Sequence, residues 1–396
     1  MCPDTGEPAR IYLDNAATSW PKPEAVYIAV DHYQRQLGAP AGRGGYAEAI
    51  TVAQAVNDAR RKVARLVGLA DPSHLIFTLN GTDSLNLVIH GLLGDGDHVI
   101  TSDVEHNSVL RPLTHLETAG RITVTRVGCG AGGVVDPADI RAAIRPATRL
   151  IALSHASNVT GAVQPIEAIG RIAREAGVLL LCDAAQTIGH LPLDMERLHV
   201  DFLAASGHKG LLGPLGTGVL AIRPAAAARL KSVRQGGTGT QSDETRQPEQ
   251  LPWKFEAGNL NVPGILGLRA GVEFLAERGV MELHRESQDL TTQLLAGFAG
   301  IKGLRVMGPS TSDQRVPLVS VTIEGYDPQE VALGLDAGYR IQVRSGLHCA
   351  PAMHRSLGTH ASGGTIRFSL GPFTTASDID AAVGAVRELA SSQMWI

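Results

Sequence analysis

Between about residues 50 and 230 the chain alternates strand-length apolar runs with helical patterns, and that alternation admits few folds. The runs are HLIFTL (74–79), HVITSD (98–103), RITVTRV (121–127), TRLIALSHAS (148–157), VLLLCDA (178–184), DFLAAS (201–206) and GVLAI (218–222). Helical spacing of Ala, Val and Leu marks 47–67, with Arg60, Arg61, Lys62 and Arg65 on the outer face. Further helices are expected at 82–93, after 103 and at 168–176. Strands apolar almost throughout, with helices between them, predict an α/β fold whose mostly parallel, seven-stranded sheet is covered on both faces. Ligands of such sheets sit at the carboxyl ends of the strands.

The second half reads differently. Residues 233–262 are polar and rich in Gly and Pro, too long for an ordinary connection and therefore expected to be functional. Helices are expected at 264–278, 283–304 and 328–335, strands at 315–323 and 365–370, and a final helix at 376–394. This predicts a smaller α+β domain made of 1–14 and 263–396, beside a large ligand-binding domain of 15–262.

Composition sets bounds on partners and compartment. A chain of 396 residues with 44% apolar content buries a large core across two or three domains. The net charge of −4 is well mixed, without the basic stripe of a nucleic-acid binder. No apolar run has membrane-spanning length, and MCPDTGEPAR lacks the regions of a signal peptide, so a cytoplasmic protein is expected. Cys2, Cys129, Cys182 and Cys349 show no C-x-x-C spacing, so neither a metal site nor a disulfide framework is expected.

The chemistry concentrates at strand ends. Ser206-Gly207-His208-Lys209-Gly210 places a lysine in a tight turn after one apolar run, and LLLCDAAQT (179–187) ends another on Asp183. Alone, each reads as a surface lysine or a capping aspartate. Together they match what pyridoxal 5′-phosphate (PLP) requires: a Schiff-base lysine and a carboxylate on the protonated ring nitrogen. Asn80-Gly81-Thr82-Asp83 follows a strand and opens a helix, where backbone N–H groups and the Thr82 hydroxyl can hold a phosphate beside Ser206 and His208. Ordinary helix capping is the competing reading. His106 in EHNS can stack on a ring; Asn158 in SNVTG and Gln186 can reach its phenolic oxygen. For these three, a polar loop residue is the alternative. In VRSGLHCAP (343–351), Cys349 lies between Gly346 and Pro351, where His348 and Arg344 can favour a thiolate. Arg367, inside a strand, is a candidate clamp for a substrate carboxylate. Gly128-Cys129-Gly130-Ala131-Gly132-Gly133 fits G-x-G-x-x-G, but Val134-Val135-Asp136-Pro137 follows, so it reads as a turn.

YLDNAAT, NGTDS, EHNS, SNVTG, DAAQ, SGHKGLLGPLGTG, FEAGN, VRSGLHCAP and TIRFSLG occur in the order found in class V, fold-type I PLP-dependent enzymes. Over nearly its whole length the chain resembles the cysteine desulfurases and selenocysteine lyases. The loop cysteine and its short gap to Arg367 are similar to group II desulfurases. The resemblance implies conversion of L-cysteine to L-alanine, with sulfur passed through a Cys349 persulfide to an acceptor protein or small thiol. Lys209, Cys349 and His106 would be catalytic. Gly81, Thr82, Asp83, His106, Asn158, Asp183, Gln186, Ser206, His208 and Lys209 would hold PLP, and Arg367 and Asn15 the substrate. It further implies a homodimer with shared sites, GGTGTQS (236–242) supplying Thr240 to the other copy's phosphate. Here that segment, Asn259-Leu260 and RGGY (43–46) depart from the wording of better-known members. Selenocysteine lyase acting on L-selenocysteine, another class V aminotransferase or lyase, and a non-catalytic scaffold are the alternatives.

Overall fold

The computed structural model describes residues 10–42, 44–241 and 243–391. Cys2, Arg43, Ser242 and the end of the expected last helix lie outside the described residues.

The large sheet has seven strands, in the order Leu75–Thr78, Gly218–Ile222, Phe202–Ser206, Leu179–Asp183, Thr148–Ser154, Asp97–Ser102 and Ile122–Val127. Only Gly218–Ile222 runs against its neighbours. The others are mutually parallel. The reason these strands are apolar throughout is visible in the core. Leu180, Cys182, Leu203 and Ala205 enter one apolar cluster, while their chain neighbours Leu181, Phe202 and Ala204 enter another. Successive side chains alternate faces, and each face is roofed by helices. Ala47–Leu66, Ile166–Ala176 and Val262–Arg278 cover the first; Gly81–Leu92 and Asn107–Thr118 cover the second. Thus Val262–Arg278, placed with the smaller unit by a division at 262/263, buries Ile265, Leu268 and Val272 on the large sheet.

A second, antiparallel sheet runs Arg344–Gly346, Thr365–Ser369, Leu318–Ile323, Leu304–Met307. Its core combines Val319, Val321 and Phe368 with Leu294, Phe298, Leu335 and Ile379 of Val280–Ala299, Pro328–Tyr339 and Ala376–Ser391. The chain start returns here, Ile11–Tyr12 pairing in parallel with Ile341–Gln342.

Two expectations need correction. The helix expected at 283–304 ends at Ala299, and Leu304–Met307 is a strand. Gly303, at φ +76°, makes the turn that a helix cannot continue through. Arg60 does not face solvent. It is buried in a bidentate ion pair with Glu256, whose Oε1 also accepts from Phe77 N at 2.7 Å. That pair ties the irregular 233–262 segment to the sheet. The glycine run at 128–133 is a turn, as read, and Asp136 caps the next helix. Among the described residues no helix is long and apolar enough to cross a membrane.

Candidate active site

Five strands of the large sheet deliver their carboxyl ends to one cavity of about 290 Å³. Gly81, Thr82, His106, Asn158, Asp183, Gln186, Ser206, His208, Lys209 and Arg367 all line it. Asn15, Asp83, Thr240 and Cys349 do not.

Lys209 sits in the turn after Phe202–Ser206. Burial pushes its ammonium down to about 8; Asp183 opposes that shift, and Arg367 and Arg344 reinforce it. A neutral, nucleophilic amine is therefore accessible near neutral pH. Asp183 closes the central strand Leu179–Asp183. Burial raises its carboxyl, while the Ala185 N–H (2.9 Å) and Lys209 hold the shift back.

His106 caps the helix Asn107–Thr118, and its Nδ1 accepts from Ser108 N at 3.0 Å. A nitrogen that accepts from a backbone N–H carries no proton, so the neutral ring is protonated at Nε2. Burial and then the cations Lys209, Arg344, Arg111 and Arg367 push its pKa down to about 4. The ring is uncharged at working pH.

One end of the cavity is built on the N-terminus of Gly81–Leu92. Gly81 N donates to Ser206 Oγ at 3.2 Å, and a Cβ on Gly81 would stand 2.7 Å from that oxygen. A larger residue there would displace the Ser206 hydroxyl and crowd its backbone N at 3.3 Å. Thr82 Oγ1 lies 2.7 Å from Ser108 Oγ, which lies 2.8 Å from His106 Nδ1. His208 is held neutral, its pKa pushed to about 4 by burial and by Lys209 and Lys22. Its Nδ1 is buried with no partner among the described residues. An orphaned ring nitrogen, a helix N-terminus, two hydroxyls, a lysine of lowered pKa and a buried carboxyl group together fit PLP.

Asp83 does something else. Asn80 Oδ1 accepts from Asp83 N, Asp83 Oδ2 accepts from Leu79 N, and Arg234 pairs with the same carboxylate. Its side chain is a helix cap turned away from the cavity. Asn15 likewise is structural: Nδ2 donates to Ser369 O, and Oδ1 accepts from Trp20 N. Its neighbour Asp14 is the residue that reaches the site, through Arg367. Adjacency in YLDNAAT gave no sign of which one would. Asn158 and Gln186 each spend one amide N–H on backbone, His348 O at 2.6 Å and Ala16 O at 3.1 Å, and each keeps a second.

Cys349 is exposed at the rim. It and His348 occupy left-handed backbone, at φ +59° and +48°. Such strain persists where surrounding bonds enforce it; here Asn107 N donates to Cys349 O at 2.8 Å. Arg344 Nη2 lies 3.7 Å from Sγ. His348 is not the expected second cation. It is buried on Thr365 Oγ1 at 2.9 Å, and burial first, then Arg367, His354 and Arg344, holds it well below the ordinary imidazole value. Arg344 alone supplies positive charge to the thiol from this loop.

Sequence reasoning also passed over Glu105. It is wholly buried, and accepts from Ser102 Oγ (2.7 Å), Ser154 N (2.7 Å) and Ser154 Oγ (2.8 Å), joining two strand ends. Burial, with Asp183 nearby, pushes its carboxyl up to about 8.

A parallel sheet whose strand ends present a buried lysine, an aspartate and an anion cradle defines a PLP-type site. The sequence matches the family described as aminotransferase class-V over residues 11–382. It is 36% identical to a probable cysteine desulfurase of Methanothermobacter thermautotrophicus, over 96% of this chain and 94% of that protein. It is 31% identical to a cysteine desulfurase of Yersinia pseudotuberculosis, over 97% and 94%. The apo structure of a cysteine desulfurase from Thermococcus onnurineus superposes with a TM-score of 0.90 at 32% identity, covering 96% of this chain and 94% of that one. The Escherichia coli cysteine desulfurase CsdA gives 0.85, also at 32% identity and the same coverage. The chain belongs to the PLP-dependent cysteine desulfurase family of class V, fold-type I enzymes.

Proposed function

We propose that this chain converts L-cysteine to L-alanine and holds the released sulfur as a persulfide on Cys349. The observation that carries this reading is the exposed Cys349 thiol beside Arg344, a residue that itself lines the Lys209 cavity. PLP, when bound, supplies an aldehyde for amines and an electron-accepting pyridinium ring.

The protein's own groups divide the remaining work. Lys209 Nζ would carry the covalent link to the cofactor and, as a free amine, would take the substrate's α-proton, a role its lowered pKa suits. Asp183 would hold the proton on the ring nitrogen. Neutral His106 offers a flat, uncharged face. Gly81, Thr82, Ser206 and His208 hold the phosphate, and Arg367 receives the substrate carboxylate. Cys349 Sγ forms the new S–S bond as the substrate's C–S bond breaks. The C–S electron pair stays with the carbon skeleton, which gains a proton and leaves as alanine. A soft sulfur nucleophile suits attack on sulfur, and Arg344 Nη2 lies 3.7 Å from Sγ.

We further propose a cytoplasmic homodimer delivering sulfur to an acceptor protein or small thiol. Thr240 lies outside its own chain's site, on a separate cleft with Arg61 and Trp253. This supports its donation to the other copy's phosphate. A monomer by light scattering with full PLP occupancy would contradict it. Product analysis with L-cysteine and L-selenocysteine tests the activity: alanine and sulfide are expected from L-cysteine. Alanine from L-selenocysteine alone would make the chain a selenocysteine lyase.

A further inference from the structure

One carbonyl oxygen near the site is unusually crowded. His208 O accepts from Ser19 N at 3.0 Å, and Ser19 Oγ (3.1 Å), Thr18 Oγ1 (3.2 Å) and Lys22 Nζ (2.9 Å) approach it as well. A carbonyl has two lone pairs, so these donors compete. Lys22 Nζ also donates to Ser19 Oγ at 2.6 Å, and Ser19 Oγ reaches Lys209 O at 3.0 Å. One arrangement gives the ammonium, the Ser19 N–H and the Ser19 hydroxyl an acceptor each. Lys22 and Ser19 N serve His208 O, leaving the single Ser19 hydroxyl proton for Lys209 O, which already accepts from Leu212 N at 2.8 Å. Both carbonyls flanking the Lys209 α-carbon are thereby fixed, one by an ammonium and one by a hydroxyl that the same ammonium orients. Charge-assisted bonds of this kind are about twice as strong as neutral ones.

Lys22 reaches this peptide from a distant part of the chain. The same strap pins Arg367 through Asp14, and Gln186 donates to Ala16 O. Lys22 has no role in the chemistry assigned above, yet it is half-buried, and burial pushes its pKa down to about 8.

We propose that Lys22 is a positioning residue for Lys209, fixing through His208 O and Ser19 Oγ the backbone from which the reactive amine extends. This rests on the reading of Lys209 as the PLP lysine. Misplacing a reacting group by about 1 Å costs up to roughly 100-fold in rate.

The test follows the rate at which full-length, cofactor-stripped protein forms a borohydride-fixable adduct with added PLP. Lys22→Met, folded by circular dichroism, is expected to form it roughly 10- to 100-fold more slowly. Lys22→Arg, which keeps a cation and its donors, should restore most of the rate. Should Lys22→Met fail to fold, Ser19→Ala removes only the relay to Lys209 O and should also slow the adduct. A wild-type rate in either folded variant overturns the proposal, as does a Lys22→Arg rate no better than Lys22→Met. Lys209→Ala is the control. An adduct in that variant would place PLP on another lysine and sink the reading of Lys209, whatever Lys22 does.

Discussion

Asp14 Oδ1 accepts from Arg367 Nη2 at 2.8 Å, so the guanidinium proposed to receive the substrate carboxylate already carries one. Nη1 donates to Asn158 O at 3.0 Å, and Nε is buried with no partner among the described residues. An incoming carboxylate can take Nε or the remaining Nη protons, beside the Asp14 carboxylate. Arg367→Ala should cost about 2–5 kcal/mol in kcat/KM for L-cysteine, the usual effect of truncating a buried charge partner. Arg367→Lys should recover little, because an ammonium lacks the planar fork that meets a carboxylate bidentately while still bonding Asp14 and Asn158 O. An unchanged KM in Arg367→Ala would assign the carboxylate elsewhere.

Lys209 must be neutral to capture PLP. Its pKa is lowered to about 8, so the reactive fraction grows as pH rises through that value and then levels. Adduct formation with PLP should therefore accelerate from pH 6.5 to 8.5 and plateau above about 9. Stopped-flow absorbance at several pH values checks this. A rate still climbing at pH 10 would mean that burial does not depress the amine.

Removing the Cys349 thiol leaves Lys209, Asp183 and the cradle untouched. Cys349→Ala should still bind PLP, yet lose most alanine production from L-cysteine. It should keep much more from L-selenocysteine, whose selenium leaves with less nucleophilic help. Mass spectrometry of the wild type after L-cysteine, without reductant, should show added sulfur on the Cys349 peptide. The peptides of Cys182, wholly buried, and Cys129, half-buried on Met353, should be unmodified. Wild-type alanine output from Cys349→Ala would refute the persulfide route.

Glu105 gives a pH signature of stability. Its folded pKa is raised to about 8 from 4.5. Between these values the folded protein keeps a proton that the unfolded chain has lost, so this contribution is whole below about 4.5 and declines as pH rises towards 8. Glu105→Gln keeps a neutral side chain at every pH. Urea unfolding of both proteins at pH 5 and pH 8 should show the wild type losing ground to the variant. A constant difference would show that Glu105 is ionised in the folded state.

Behind the lysine turn, two backbones touch. A Cβ on Gly210 would stand 2.0 Å from Ile188 O, and one on Gly189 would stand 2.1 Å from Gly210 O. Gly210→Ala must separate the segments carrying Gln186 and Lys209. It should cost about 1–3 kcal/mol of stability, as overpacking usually does, and weaken PLP retention. Thermal melts with and without PLP measure both; an unshifted Tm would show that the turn yields freely.

Much of this protein was written in local pattern. The near-continuous apolar runs specify strands buried on both faces, because only a doubly covered sheet hides both sets of alternating side chains. Lys209, Asp183, His106 and Asn158 follow those runs directly, so their meeting at one edge was legible: parallel strands deliver their carboxyl ends together. What residues far apart in sequence do to one another was not legible. Arg60 sits in a helix with an exposed-looking charge pattern, and its bidentate pairing with distant Glu256 makes its burial tolerable. Asp14 and Asn15 are neighbours, but the Asp14–Ser369 bridge decides that the aspartate meets Arg367 and the asparagine braces the turn. Sequence put His348 beside Cys349; the fold buried its ring on Thr365 and left Arg344 at the thiol. Local spacing encodes which groups reach the strand ends, whereas desolvation and long-range pairing, set only when the chain closes on itself, decide their charge and their partners.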